Sequence, residues 1–149
     1  LRWGYGILER MGERGLRSEL AANLARAVCA QGRDDEALRL ARLSGELAFR
    51  DDLYAQVERR GPLATVLARR GRQREAERVA AEAVAMASRS DMLTMQANAL
   101  LDHAGVLRLG GRRDLAAPLL AEAVARYDRK GNLVARDRAA GLLADPPDA

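Results

Sequence analysis

Cysteine, histidine and lysine each occur once, as Cys29, His103 and Lys130, and aromatic residues make up only 3% of the 149-residue chain. A lone cysteine forms no internal disulfide, and a lone histidine cannot anchor a His-based zinc site. No apolar run approaches the roughly 18–20 residues that cross a bilayer. No charged n-region followed by an apolar h-region opens the chain. The expectation is a cytoplasmic protein without a membrane span. A P-loop needs Gly-Lys-Ser/Thr, and the single lysine stands in Arg129-Lys130-Gly131, so that phosphate cradle is excluded.

What is present points to helices. The chain is 48% hydrophobic and 31% charged, too apolar for a disordered chain and long enough for one domain or a short repeat array. Alanine and leucine, both strong helix formers, dominate, whereas β-branched residues are scarce. All but one of the 25 basic residues are arginine, against 21 acidic residues. The resulting net charge of +4 is a weak pointer to nucleic acid. With leucine rather than methionine at position 1, the reading is that the chain starts inside a longer protein.

The sequence repeats. Residues 24–37, 63–76 and 103–116 align without gaps, and Gly32, Gly71 and Gly111 coincide at steps of 39 and 40 residues. In the same frame Ala25, Ala64 and Ala104 stand seven residues before the glycine, and Ala37, Ala76 and Ala116 five after it. The run Ala81-Glu-Ala-Val-Ala85 returns as 121–125, again 40 residues on. A glycine between two apolar-periodic segments suits the left-handed residue that ends a helix. Alanines on either side let two antiparallel helices approach closely. Leu24/Val28, Leu63/Leu67 and Leu107 supply the buried stripe. The unit is therefore a helix hairpin of about 40 residues that must stack on its neighbours.

Junctions recur at Gly12-Glu13, Asp51-Asp52, Ser90-Asp91 and Gly131-Asn132, where acidic or amide side chains can cap the next helix. Helices are expected over residues 2–11, 17–31, 34–48, 52–70, 73–88, 91–109, 113–129 and 133–143. Gly61-Pro62 should kink or split the fourth, and Pro118 disturbs the seventh. Residues 17–50, 52–89 and 91–131 form the full repeats of a single domain spanning 1–144. Residues 1–12 are the remnant of a truncated unit, 133–144 a capping helix and 145–149 a flexible tail. The remnant leaves Trp3, Tyr5 and Leu8 with an apolar face open to pairing across two chains.

The small–seven–Gly–five–Ala spacing resembles the tetratricopeptide repeat, on Ala25/Gly32/Ala37, Ala64/Gly71/Ala76 and Ala104/Gly111/Ala116. That family's unit is about 34 residues; this one is longer and lacks the closing proline. Residues 67–84, with Ala97 to Asp102, Val106 to Gly111 and Tyr127 to Asn132, are similar to the C-terminal helical repeats of large bacterial signalling proteins. In those, an adenylate/guanylate cyclase domain and an AAA/STAND-type ATPase precede the repeats, and related ATPase regulators end in the same way.

The resemblance implies an all-α, TPR-like α-solenoid of antiparallel hairpins in a right-handed superhelix, binding protein or peptide, including other domains of its parent. It implies a concave groove lined by Glu19, Asn23 and Arg26 in the first unit, Glu58, Thr65 and Arg69 in the second, and Asn98, Asp102 and Arg108 in the third. Arg26, Arg69 and Arg108 should converge there, gripping the backbone or carboxylate of an extended peptide.

No catalytic, cofactor or metal residues are assigned. A cyclase needs paired metal-binding aspartates on a sheet, and no sheet is expected, so the chain alone is read as non-enzymatic. His103 occupies the frame position of Leu24 and Leu63 and is read as a core or interface residue; Cys29 is read as a small packing residue. The alternatives are a nucleic-acid-binding array or a structural dimerisation element. The first would use the edge bearing Arg33, Arg69, Arg70, Arg72, Arg74, Arg112 and Arg113, although no aromatic residues stand among these arginines for bases to stack on.

Overall fold

A computed structural model describes residues 2–144. It is all helical among the described residues. In chain order the helices are α1 (Arg2–Arg10), α2 (Gly15–Ala30), α3 (Asp34–Leu47), α4 (Leu53–Glu58), α5 (Arg60–Arg69), α6 (Gln73–Ala87), α7 (Leu93–Leu109), α8 (Arg113–Lys130) and α9 (Leu133–Ala144). The expected flexible tail at 145–149 lies outside the described residues.

Gly32, Gly71 and Gly111 turn α2 into α3, α5 into α6 and α7 into α8. Their φ angles are 74°, 76° and 73°, the left-handed region that a Cβ disfavours. Each closes the same pair of hydrogen bonds. The Gly71 N–H donates to the Ala68 carbonyl at 2.9 Å, and the Arg72 N–H to the Leu67 carbonyl at 2.9 Å. These satisfy carbonyls that the helix end would otherwise leave open. Gly12 and Gly131 repeat the arrangement before α2 and α9.

The alanine columns are buried. Ala25, Ala37, Ala64, Ala76 and Ala104 are fully inaccessible and Ala116 nearly so. Three hairpins result, α2/α3, α4–α5/α6 and α7/α8, each in contact with the next through its first helix. The contact has a residue of its own. Val66 of the second hairpin enters the apolar cluster of Val28, Cys29, Ala37 and Leu38 in the first. Val106, its counterpart 40 residues on, enters the cluster of Ala64, Leu67, Ala76 and Val79 in the second. Burying one valine in this way is worth about 1.5–3 kcal/mol, so each hairpin is keyed to its predecessor.

Junction capping follows the expectation at three of the four places. Asp52 Oδ1 accepts the Ala55 N–H at 3.0 Å, Asn132 Oδ1 accepts that of Ala135 at 3.2 Å, and Glu13 accepts those of Gly15 and Leu16. Asp91 does not cap. Met92 holds the cap position of α7, and its N–H is taken by Ser90 Oγ instead.

The two prolines behave differently. Pro62 cannot donate to the Glu58 carbonyl, and the expected long helix divides there into α4 and α5, joined through Arg59. Pro118 stays inside α8 without ending it. It lies on the exposed side, so the carbonyl it leaves free at Asp114 is solvated.

At the N-terminal end, Trp3 is 81% exposed, as the sequence suggests for an unpartnered face. Tyr5 differs: α1 rests on α2, and the Arg17 guanidinium lies 5.2 Å above the Tyr5 ring and donates to its hydroxyl. Leu8 is half-buried.

Candidate functional site

The first helices of the hairpins, α2, α5 and α7, share one side of the molecule with α9. Between them runs an open groove of about 310 Å³. Four of the nine residues assigned from the sequence line it: Arg26, Thr65, Arg69 and Asp102. Pro62, Leu101, Leu109 and Leu142 give it an apolar floor, and Arg138 of α9 reaches it as well.

Arg26 is the centre of a polar network on this side. Its Nη1 and Nη2 donate to Asp102 Oδ1 and Oδ2 at 2.9 and 2.8 Å, the two-pronged geometry that guanidinium and carboxylate favour. Its Nε and Nη2 also donate to Glu58 Oε2 at 3.1 and 2.8 Å. The other Glu58 oxygen accepts from Asn98 Nδ2 at 2.9 Å, and Asn98 Oδ1 accepts from the Tyr127 hydroxyl at 2.7 Å. Three hairpins thus meet in one chain of hydrogen bonds: α2, the end of α4, and α7 with α8.

Glu58 is 1% exposed, and a buried carboxylate without partners is costly. Here both of its oxygens are engaged. Burial works against the Arg26 charge, but Asp102 and Glu58 outweigh it and hold the guanidinium above its ordinary value. Burial first, and then the Asp102 carboxylate, push the Tyr127 hydroxyl up to about 12.

Gly61 makes the network possible. A Cβ placed there would stand 1.9 Å from Asp102 Oδ2 and 3.0 Å from Arg26 Nη2. The ion pair therefore crosses directly over α5, joining the first hairpin to the third above the backbone of the second. In the sequence Gly61 reads as a helix breaker. Its structural use is to leave room for a bond spanning 76 residues.

Other assigned residues are placed differently. Glu58 and Asn98 line a second cavity of about 350 Å³, together with Tyr54, Met92 and Lys130. Asn23 Oδ1 accepts from the Tyr54 hydroxyl at 3.3 Å. Glu19 lies outside the groove lining; burial, with Asp52 and Glu13 nearby, raises its carboxyl.

Arg69 donates to Asp34 Oδ1 at 2.7 Å and to the Cys29 carbonyl at 3.1 Å, closing the groove against the first hairpin. Arg108 does not join Arg26 and Arg69. Its Nη1 donates to the Leu142 carbonyl at 2.8 Å, and it faces a separate cavity of about 290 Å³ beside Arg113 and Asp114. That bond ties the guanidinium to α9. The expected convergence of three arginines is thus a convergence of two.

Arg138, Leu142 and Tyr127 were missed by the sequence reading. The first two sit on the helix taken only as a cap, and no repeat column marks Tyr127.

The arginine edge is largely neutralised. Arg69 pairs with Asp34, Arg70 with Asp35 and Arg112 with Glu77, all at a separation of 35 residues. Arg33 and Arg72 pair with Glu36 and Glu75 one turn ahead.

Cys29 is buried, and burial pushes its thiol up, away from the reactive thiolate. His103 is half-buried, as is Leu63 at one matching position, whereas Leu24 at the other is buried. Burial lowers its imidazole, opposed by Glu77 and reinforced by Arg112. No helix among the described residues is long and apolar enough to cross a membrane, and no cluster of metal-ligating side chains occurs among them. Set against family models, curated proteins and solved structures, the chain matches none.

Proposed function

We propose that the chain is a TPR-like solenoid in a right-handed superhelix, acting as a protein-interaction and regulatory scaffold within a larger bacterial signalling protein. Its part is binding, and catalysis belongs to domains such as a nucleotide cyclase or an ATPase elsewhere in the parent. The observation that carries this reading is the groove itself. Its walls come from α2, α5, α7 and α9, so no single repeat owns it. Its apolar floor bordered by Arg26, Thr65 and Arg69 suits an extended segment that buries a side chain and bonds through its backbone or a carboxylate.

Display of a random dodecapeptide library on the purified chain tests it. Binders should be enriched, and Thr65→Trp, which fills the groove, should abolish their capture. Arg39→Glu, on an exposed turn of α3, should not. Absence of binders, or binders indifferent to Thr65→Trp, would contradict the reading.

A further inference from the structure

The cations around the groove are not equivalent. Arg26 is answered by Asp102 and Glu58, and Arg69 by Asp34. Arg138 forms no hydrogen bond or ion pair among the described residues, although it lines the same groove. The Thr65 hydroxyl, also in the lining, makes no hydrogen bond among them either. Beside these two open polar groups lie Pro62, Leu101 and Leu142. An unanswered guanidinium, an open hydroxyl and an aliphatic floor within about 310 Å³ describe the lower end of the size range of small-molecule sites.

We infer that the groove also binds a small amphiphilic carboxylate, with its aliphatic body on Pro62, Leu101 and Leu142 and its head held by Arg138 and Thr65. The charges select the class. Among the three arginines of the lining, Arg138 is the one without a carboxylate partner among the described residues. It offers a place for one negative charge, whereas a second would face Asp102, which is partly exposed at the groove wall. A cationic head would lie among Arg26, Arg69 and Arg138 against the single lining carboxylate, Asp102. A head without a body forfeits the apolar contact. The inference uses the groove's geometry alone and does not require a protein partner.

Two-dimensional NMR titration with sodium octanoate tests it, with sodium acetate and octylammonium chloride in parallel. Octanoate should shift the amide signals of Thr65, Gly105 and Leu142, and the two controls should leave them unmoved. Arg138→Gln, an exposed change that leaves the core intact, should weaken octanoate by about tenfold, and Thr65→Val should weaken it less. Unmoved signals at millimolar octanoate would overturn the inference. So would equal shifts from octanoate and octylammonium, or unchanged affinity in Arg138→Gln. Failure here leaves peptide capture by the groove standing, and failure of the peptide screen leaves this site standing.

Discussion

Arginine meets carboxylate across hairpins in two regions of this molecule, and the two differ in what surrounds them. On the groove side, Arg26 holds Asp102 and Glu58 over the bare backbone of Gly61, with Glu58 only 1% exposed. On the turn edge, Arg70 pairs with Asp35, which is 85% exposed. The bonding groups are alike. Water screens the outer pairs, so they add little to stability, while removing one partner of the inner network strands a buried charge. The comparison teaches that position, and not the number of ion pairs, decides which of them fixes the spacing of the hairpins.

The largest effect is expected from Arg26→Met, which leaves Glu58 and Asp102 without their cation. Breaking a buried pair costs roughly 3–5 kcal/mol, and with the Arg26 side chain 32% exposed the lower end is expected, read from urea unfolding.

Gly61→Ala comes next. Its Cβ collides with Asp102, so the pair must part or α5 must shift, at a cost of about 1–3 kcal/mol. Part of that is offset by alanine's better helix propensity, roughly 1 kcal/mol. In an Arg26→Met background the same change should cost less, because the pair is already gone. Equal costs in both backgrounds would mean that Gly61 serves something other than the crossing.

Arg70→Ala should cost under about 1 kcal/mol, and less still at high salt. A loss as large as that of Arg26→Met would erase the distinction between the two regions.

The smallest effect concerns His103. Its folded-state pKa is depressed, mainly by burial, so the unfolded chain binds its proton first. Stability is therefore complete above the unfolded value near 6.5 and falls as pH drops below it. His103→Leu, which restores the residue found at Leu24 and Leu63, should flatten the fall in melting temperature between pH 7 and 5. An unchanged slope would place the titration elsewhere.

These residues also show how much of the molecule can be read from its sequence. The glycine and alanine columns were legible because their causes are local: a left-handed turn needs glycine, and a close helix crossing needs a small side chain. The faces of α2, α5 and α7 were legible too, since helical periodicity fixes direction. Partners were not. The resemblance to tetratricopeptide repeats implied that Arg26, Glu58, Asn98 and Asp102 share one side of the molecule, but not that they would bond to one another before any ligand. That depends on the packing that brings Arg26 of the first hairpin within reach of Asp102 in the third, and on Gly61 leaving space, neither of which is a property of one segment. Arg108 was misplaced for a similar reason. It bonds the Leu142 carbonyl of α9, a helix that lies outside the repeat frame. Val66 and Val106, the keys between hairpins, were readable at their 40-residue spacing and were overlooked beside the more conspicuous leucines.

A double-mutant cycle between Arg26 and Asp102, run beside one between Arg70 and Asp35, measures the difference directly. The predicted coupling energies are about 2 kcal/mol or more for the inner pair and within about 0.5 kcal/mol of zero for the outer pair. Equal couplings, or an inner coupling near zero, would contradict the account that a crossing over Gly61 ties the first hairpin to the third.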